Sequence, residues 1–328
     1  MAKLGPIDFD DSILDALRDD KLVIFAGAGV SMGPPSSLAS FSDLVNGIAQ
    51  GTGQEVFEPL DRFLGQLAHR KVAVHERAAN LLSPQGSLPN DLHHSLLRVF
   101  RSAKNVRLVT TNFDLHFETA AQTVFGSVPE VYRAPALPLG RDLQGIVHIH
   151  GSLASPDNMV LTDADFGRAY LTEGWARRFL VELFHNYTML FVGYRHSDVV
   201  MNYLARALPA NNVASRFALT DEDGNWDLLG IKSIRFRKRI GVDAYKELYK
   251  GVERLAEHVT RGVLDWQTRI AEIGRGMPPA DEEAIGEIEQ AIRHVHTTRF
   301  LTNVCGTPNG SSGSMPATIS KHSFVLVI

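Results

Sequence analysis

Short, uninterrupted apolar segments alternate along the chain with longer stretches in which apolar residues recur at helical spacing. The apolar segments span 22–26, 106–109, 145–149, 187–192, 216–219 and 231–236. Because they are continuous, they are typical of strands covered on both faces, as in a parallel sheet between two layers of helices. The pattern therefore predicts a doubly wound, Rossmann-like α/β fold with right-handed crossovers.

The stretches with helical spacing lie between these segments and after them. They predict helices over 10–20, 42–48, 91–100, 198–208 and 245–259. The segment 53–102 carries helical patterns but no strand signal, so we interpret it as a helical insertion in the α/β pattern.

The end of the chain has a different pattern. Only helices are predicted after residue 261, so we interpret 1–261 as the α/β domain and 262–300 as a C-terminal helical extension. The segment 301–328 contains a Gly- and Ser-rich stretch followed by a short apolar end. We expect it to be a disordered tail, or the start of an element from a longer protein.

Composition excludes several classes of function. The 328 residues carry a formal net charge of −4 and one cysteine, Cys305, which cannot form an internal disulfide or a four-cysteine zinc site. The acidic balance argues against direct nucleic-acid binding, and the short basic cluster at 235–239 is typical of a solvated surface. No apolar run reaches the ~18–20 residues of a membrane span. The start of the chain lacks a signal-peptide pattern, so we expect a cytoplasmic protein.

A glycine-rich loop, Gly27-Ala28-Gly29-Val30-Ser31, follows the first apolar segment directly. Glycines at this place allow the backbone to approach a pyrophosphate closely. The full dehydrogenase spacing would require glycine at position 32, which is Met32, so the loop does not match that fingerprint. The alternative is a tight strand–helix turn that binds no ligand.

A polar cluster, Thr110-Thr111-Asn112-Phe113-Asp114, follows the second apolar segment. The carboxyl ends of parallel strands are where open α/β sheets bind ligands. The alternative is that Asn112 and Asp114 cap the next helix, which explains one of the two residues but not the whole cluster.

Two further segments end in polar residues, in His148-Ile149-His150-Gly151 and in 193–198, which reads GYRHSD. His148 and His150 would share one face of a strand, and an imidazole suits acid–base catalysis. The alternatives are a structural histidine, or a metal-binding pair, for which no further ligand stands at a zinc spacing. Ser197 or Asp198 could also simply cap a helix. We expect all four polar strand ends to open onto one crevice.

Taken together, the motifs at 27–31, 110–114, 148–151 and 193–198 resemble, in order and spacing, those of the sirtuin (silent information regulator 2) family. The resemblance covers about 22–236 and implies an NAD-binding, doubly wound fold. It implies that Gly27, Ala28, Gly29 and Ser31 hold the NAD phosphates, and that Gly193 and Ser197 contact the phosphate and the adenine-side ribose. The remaining NAD-binding positions that we assign on this basis are Ala26, Thr111, Tyr194 and Asp198.

The resemblance also implies catalytic roles. Asn112 would hold the ribose or the attacking water, and Asp114 would hold the nicotinamide carboxamide. His150 would act as the catalytic base. NAD already carries a good leaving group, so no metal is expected.

Departures from the deacylase pattern indicate the subtype. The segment after Ser31 lacks the GIPDFR-like sequence of deacylases, and one cysteine cannot supply the two CxxC pairs of their structural zinc. The chain thus looks more similar to zinc-less sirtuin-like domains of bacterial antiphage systems, which hydrolyse NAD. This predicts an NAD glycohydrolase of abortive infection.

Two alternatives to an NAD hydrolase are an NAD-dependent protein deacylase and a non-catalytic domain that senses NAD. The retained Asn112 and His150 argue against a pure sensor. The resemblance implies NAD as the substrate, and we expect a homo-oligomer with a partner such as an ATPase, a helicase or another defence protein.

Overall fold

The structure of the chain is a computed structural model, which describes residues 2–195, 216–241 and 244–260. The chain divides into two units, one formed by 1–5 with 261–328 and the other by 6–260. In the first unit the described part contains strand β1 (Ala2–Leu4). The predicted helix 198–208, the C-terminal extension 262–300 and the tail 301–328 lie outside the described residues.

In the described part of the second unit, the strands follow one another at the positions the apolar segments predict, with additional short ones. They are β2 (Ile7–Phe9), β3 (Leu22–Ala26), β4 (Arg107–Thr110), β5 (Val131–Arg133), β6 (Gly145–His148), β7 (Thr188–Val192), β8 (Arg216–Thr220) and β9 (Lys232–Arg235). Seven of these described strands form one sheet of order β5-β6-β4-β3-β7-β8-β9, and every neighbouring pair is parallel.

The described helices connect these strands. They are α1 (Asp11–Arg18), α2 (Phe41–Ala49), α3 (Leu60–His69), α4 (Val74–Leu81), α5 (Asp91–Arg98), α6 (His116–Phe125), α7 (Asp163–Gly167), α8 (Trp175–Asn186) and α9 (Lys246–Thr260). Helices α2 to α5 all lie between β3 and β4 in sequence. Helices α2, α3 and α4 share an apolar core with Phe113, Met159 and Leu161.

Both faces of the central strand β3 are covered. Val23 and Phe25 point into a core that includes Phe184 of α8, and Ile24, on the opposite face, is also buried. This two-sided burial explains why the strands read as continuous apolar runs. The predicted doubly wound, Rossmann-like α/β fold is confirmed.

The strand order reverses in the middle of the sheet. From β3 the chain crosses to β4 on one side, whereas from β7 it continues to β8 on the other. In open parallel sheets, ligands bind outside the carboxyl ends of the strands at such a reversal. The candidate site is therefore expected where the loops after β3, β4 and β7 meet.

Candidate functional site

The glycine loop after β3 is held against the end of β7 by backbone hydrogen bonds. The Gly27 amide donates to Val192 O and the Gly29 amide to Gly193 O, both at 2.9 Å. The amides of Val30 and Ser31 donate within the loop, and 28–30 forms a short 3₁₀ turn. Four of the five amides in 27–31 are therefore bound to protein carbonyls.

Close packing explains the glycines of this loop. A Cβ atom on Gly27 would lie 2.7 Å from the Tyr194 ring, and one on Gly29 would lie 2.9 Å from Gly193 Cα. Gly193 has a φ of 78°, which favours glycine. The tight-turn alternative thus accounts for Gly27, Gly29 and Gly193 without a ligand. Ala28 and Gly29 are half-exposed, and they are the part of the loop that a phosphate could reach.

A second link joins β3, β4 and β7 through side chains. The Tyr194 hydroxyl donates to Ala26 O at 3.0 Å, so in its 2.9 Å bond with Thr111 Oγ1 the threonine is the donor. The Tyr194 ring also packs against Phe25. Ala26, Thr111 and Tyr194 therefore form one buried contact at the sheet reversal.

Ser31, Asn112 and Asp114 form a hydrogen-bonded cluster at the same edge. The Ser31 hydroxyl donates to Asp114 Oδ2 at 2.8 Å, and Asn112 Nδ2 donates to Ser31 Oγ and to Gly27 O at 3.1 Å each. All three side chains are buried, Asn112 with 7% of its surface exposed. The cluster joins the loops after β3 and β4 into a single polar site.

Helix capping accounts for only part of this cluster. Asp114 Oδ1 accepts a hydrogen bond from the His116 amide at the start of α6, whereas the side chain of Asn112 turns towards the glycine loop. Both hydrogens of the Asn112 amide are used, because they are donated to Gly27 and Ser31. The Asn112 carboxamide oxygen is therefore the group that could accept a hydrogen bond from a ligand or water.

His93, a residue that the sequence did not single out, also contacts this cluster. Its Nε2 lies 3.2 Å from Ser31 Oγ. Its Nδ1 lies 3.2 Å from the backbone nitrogen and 2.8 Å from Oδ1 of Asn90, in the capping box at the start of α5. Burial, with smaller contributions from His116 and His94, lowers the pKa of His93 to about 3. The capping-box pattern at 90–93 could have drawn attention to His93. A helix cap by itself, however, does not indicate a contact with Ser31, which lies 62 residues away in the chain.

His150 lies apart from the Ser31–Asn112–Asp114 cluster in its hydrogen bonding. Its Nε2 is 2.8 Å from the Tyr170 hydroxyl, and its ring packs edge-on against Phe166 and Tyr170. Only 1% of His150 is exposed, and burial lowers its pKa to about 3. The imidazole is therefore neutral near pH 7, which is the form that a base requires.

The expectation that His148 and His150 share one strand face is wrong. The strand ends at His148, and His150 lies in the following turn, where Gly151 has a φ of 80°. His148 Nε2 bonds to Glu118 of α6, whereas His150 bonds to Tyr170. The two imidazoles therefore form hydrogen bonds with different parts of the structure.

The basic cluster at 235–239 is paired with carboxylates. Arg235 contacts Asp223, Lys238 lies 3.4 Å from Asp221, and Arg239 lies 3.4 Å from Glu247. These pairs reduce the local positive field, in agreement with the solvated-surface interpretation.

Two of the predicted site residues, Ser197 and Asp198, lie outside the described residues. Across 2–195, 216–241 and 244–260, no three His, Cys, Asp or Glu side chains gather as a metal site would require. Among the helices of these ranges, none is long and apolar enough to cross a membrane.

Comparison with known proteins finds a matching family model. Residues 106–244 match the family model described as a SIR2-like domain. This region contains the motifs at 110–114, 148–151 and 193–198, and it begins after the glycine loop. The match confirms the resemblance to sirtuin-like proteins over this region.

Two similar proteins extend the comparison. The uncharacterized protein y4cA of Sinorhizobium fredii (strain NBRC 101917 / NGR234) is 30% identical over 311 residues, which cover 83% of this chain and 25% of y4cA. The chain thus spans about a quarter of the length of this curated relative. A solved structure described as the structural basis for the mechanism and regulation of Sir2 enzymes is 14% identical, with a TM-score of 0.38. It aligns over 77% of this chain and 98% of its own.

Proposed function

We propose that this chain is an NAD glycohydrolase, which converts NAD⁺ and water into nicotinamide, ADP-ribose and a proton. The observation that carries the proposal is the Ser31–Asn112–Asp114 cluster. It lies at the reversal of a parallel sheet in a chain with a SIR2-like domain, a family that points to NAD-dependent activity. NAD supplies a good leaving group, so the protein needs to orient the ribose, exclude bulk water and manage one proton.

Asn112 and Asp114 would orient the substrate. The carboxamide oxygen of Asn112 would accept a hydrogen bond from the attacking water or a ribose hydroxyl, since its amide hydrogens are held by Gly27 and Ser31. Asp114 would accept from the nicotinamide carboxamide in place of, or beside, its bond to Ser31. Ala28 and Gly29 would face the phosphates.

His150 would act as the general base on water or on a ribose hydroxyl. The supporting observation is its place two residues after the end of β6, the neighbour of β4. A general base contributes about 10²–10⁴-fold to a rate. Tyr170, which bonds to His150 Nε2, would fix the orientation of the imidazole.

The sequence favours hydrolysis over protein deacylation. A deacylase of the zinc-bearing type needs four thiolates, and this chain contains one cysteine. The test is to incubate the purified full chain with NAD⁺, with and without an acetyl-lysine peptide, and to identify products by mass spectrometry. We expect nicotinamide and ADP-ribose in equal amounts, independent of peptide. O-acetyl-ADP-ribose formed only with the peptide would overturn the proposal in favour of deacylation.

The biological setting is part of the same proposal. We infer NAD depletion during phage infection, in the bacterial cytoplasm, by a homo-oligomer controlled by a partner ATPase, helicase or other defence protein. The support is the resemblance to zinc-less defence sirtuins, and the length of the curated relative leaves room for further domains. Cellular NAD measured before and after infection, with the gene intact or carrying Asn112→Ala, tests this role. An infection-dependent fall in NAD only with the intact gene is the expected result, and equal NAD in both strains would contradict it.

A further inference from the structure

His148 is fully buried beside the candidate site, and both of its ring nitrogens face hydrogen-bond acceptors. Nδ1 lies 3.1 Å from the backbone oxygen of Asn112, and Nε2 lies 3.1 Å from Glu118 Oε1. A carbonyl oxygen only accepts, and so does an ionised carboxylate. Both bonds can form together only if both ring nitrogens carry a hydrogen, so that His148 is an imidazolium.

The surroundings of Glu118 favour its ionised form. Arg133 Nη2 donates to the same Oε1 at 2.9 Å, and Arg133 Nε donates to Ser152 Oγ at 3.1 Å. Burial by itself raises the pKa of Glu118, but the bond to His148 and the charges of His148 and Arg133 outweigh it and leave the pKa below its ordinary value. Because the Arg133 guanidinium donates to Glu118 Oε1 independently of His148, a neutral Glu118 that donates from this oxygen to His148 is the less favourable arrangement.

We propose that His148 is a positioning residue that carries a hydrogen on both ring nitrogens, and that its bonds to Glu118 and to the backbone oxygen of Asn112 hold Asn112 in place. The positioning part rests on the proposed function, in which Asn112 acts on NAD. The charged groups that face the imidazole are Glu118 from α6 and Arg133 from β5, while β4 contributes the neutral Thr110 beside it.

The two bonds of His148 act on the segment that carries the candidate site. His148 ties the end of β6 to Asn112 at the beginning of the loop and to Glu118 within the helix that follows it. The Leu153 amide adds a 2.8 Å bond to Phe113 O. The backbone of the loop after β4 is thus fixed by the end of β6 and the residues that follow it. The side chain of Asn112 is left to donate to Gly27 and Ser31.

The protonation state is tested without any catalytic assay. The full chain has 13 histidines, so nitrogen NMR on protein with ¹⁵N-labelled histidine, compared with His148→Gln, assigns the ring signals of His148. We expect both nitrogens to be protonated at pH 7 in the unaltered protein, and one of them to be unprotonated in Glu118→Gln. A neutral His148 at pH 7 in the unaltered protein would overturn the proposal.

The positioning role is tested on Asn112 itself. In protein with ¹⁵N-labelled asparagine, with the Asn112 side-chain signals assigned by Asn112→Asp, we expect Glu118→Gln to shift those signals. The matched control is Glu76→Gln, the same substitution on an exposed residue of α4, which should leave them unchanged. Unshifted Asn112 signals in Glu118→Gln would contradict positioning.

Turnover then separates this inference from the proposed function. If the chain hydrolyses NAD, Glu118→Gln should lower kcat on the order of 10²-fold, more than it changes KM, because a displaced reacting group costs about that much. Glu76→Gln should hydrolyse NAD at the rate of the unaltered protein. If the chain hydrolyses no NAD, the proposed function fails, whereas the two NMR measurements still decide the state of His148 and its effect on Asn112.

Discussion

The hydroxyl of Ser31 donates a 2.8 Å hydrogen bond to the carboxylate of Asp114, 83 residues away in the chain. Ser31 follows the central strand β3, and Asp114 follows its parallel neighbour β4. The bond therefore joins the two loops that leave the carboxyl ends of these strands. Asn112 donates to the same hydroxyl. Ser31 is therefore the point at which the glycine loop and the loop after β4 meet.

Ser31→Ala should destabilise the fold as well as the site. It leaves a buried oxygen of Asp114 and an amide hydrogen of Asn112 without a partner, which costs about 1–3 kcal/mol of the free energy of unfolding for an unsatisfied buried group. Urea denaturation measures this loss. The exposed Ser83→Ala is the control and should change stability by less than about 0.5 kcal/mol. Equal stability of the two variants would contradict the role of Ser31.

Gly29→Ala should destabilise the contact between the loops after β3 and β7. The added Cβ would lie 2.9 Å from backbone atoms of Gly193, which cannot move aside as a flexible side chain could. Overpacking of this kind costs about 1–3 kcal/mol, measured by thermal or urea unfolding. Gly167→Ala is the matched control, since a Cβ there meets no atom within 4 Å. A stable Gly29→Ala protein would show that the loop is not closely packed.

The buried imidazoles of His93 and His150 should make the protein sensitive to acid. Burial lowers the pKa of each to about 3 from an ordinary 6.5, so below pH 6.5 the unfolded chain takes up protons that the folded chain does not. The free energy of unfolding should therefore fall as pH falls from 6.5 towards 3, by up to about 1.4 kcal/mol per pH unit for each histidine.

Urea midpoints at pH 7, 6 and 5 check this dependence. His93→Gln and His150→Gln should each show a shallower loss of stability on acidification. The exposed His69→Gln should follow the unaltered protein. Parallel pH dependences for all four proteins would refute the assignment of neutral buried histidines.

Tyr170→Phe should lower NAD turnover through His150. The variant removes the hydroxyl 2.8 Å from His150 Nε2 and keeps the ring that packs on it. Tyr187→Phe removes a partly buried bond of the same 2.8 Å length, to Arg141 O, just before β7 and thus at the opposite ends of the strands. Both variants should lose about 1 kcal/mol of stability, but only Tyr170→Phe should reduce kcat. Equal turnover in the two would remove Tyr170 from the site.

The sequence predicted the parts of the fold that burial determines. Every apolar segment that predicts a strand forms one in the structure. A strand that is covered on both faces consists of consecutive apolar residues, which can be recognised in the sequence alone. Strand β5 (Val131–Arg133) was missed, since it is three residues long and half-exposed at the sheet edge. The convergence of Ser31, Asn112 and Asp114 followed from topology, because the carboxyl ends of parallel strands share one edge.

Long-range contacts of single side chains could not be predicted. Nothing in the helix 91–98 indicates that His93 reaches Ser31, since this depends on how α5 packs against the loop after β3. The separate environments of His148 and His150 depend on where the strand ends, which alternation alone does not give. The charge of His148 depends on Glu118 and Arg133, which come from two other elements.

The release of nicotinamide by the purified full chain tests the central claim most directly. The assay compares the unaltered protein with Asn112→Ala and His150→Gln, each first shown to be folded by circular dichroism. We predict measurable hydrolysis of NAD⁺ by the unaltered protein, and a loss of at least about 10²-fold in each variant. Turnover in the two variants at the rate of the unaltered protein would contradict the account.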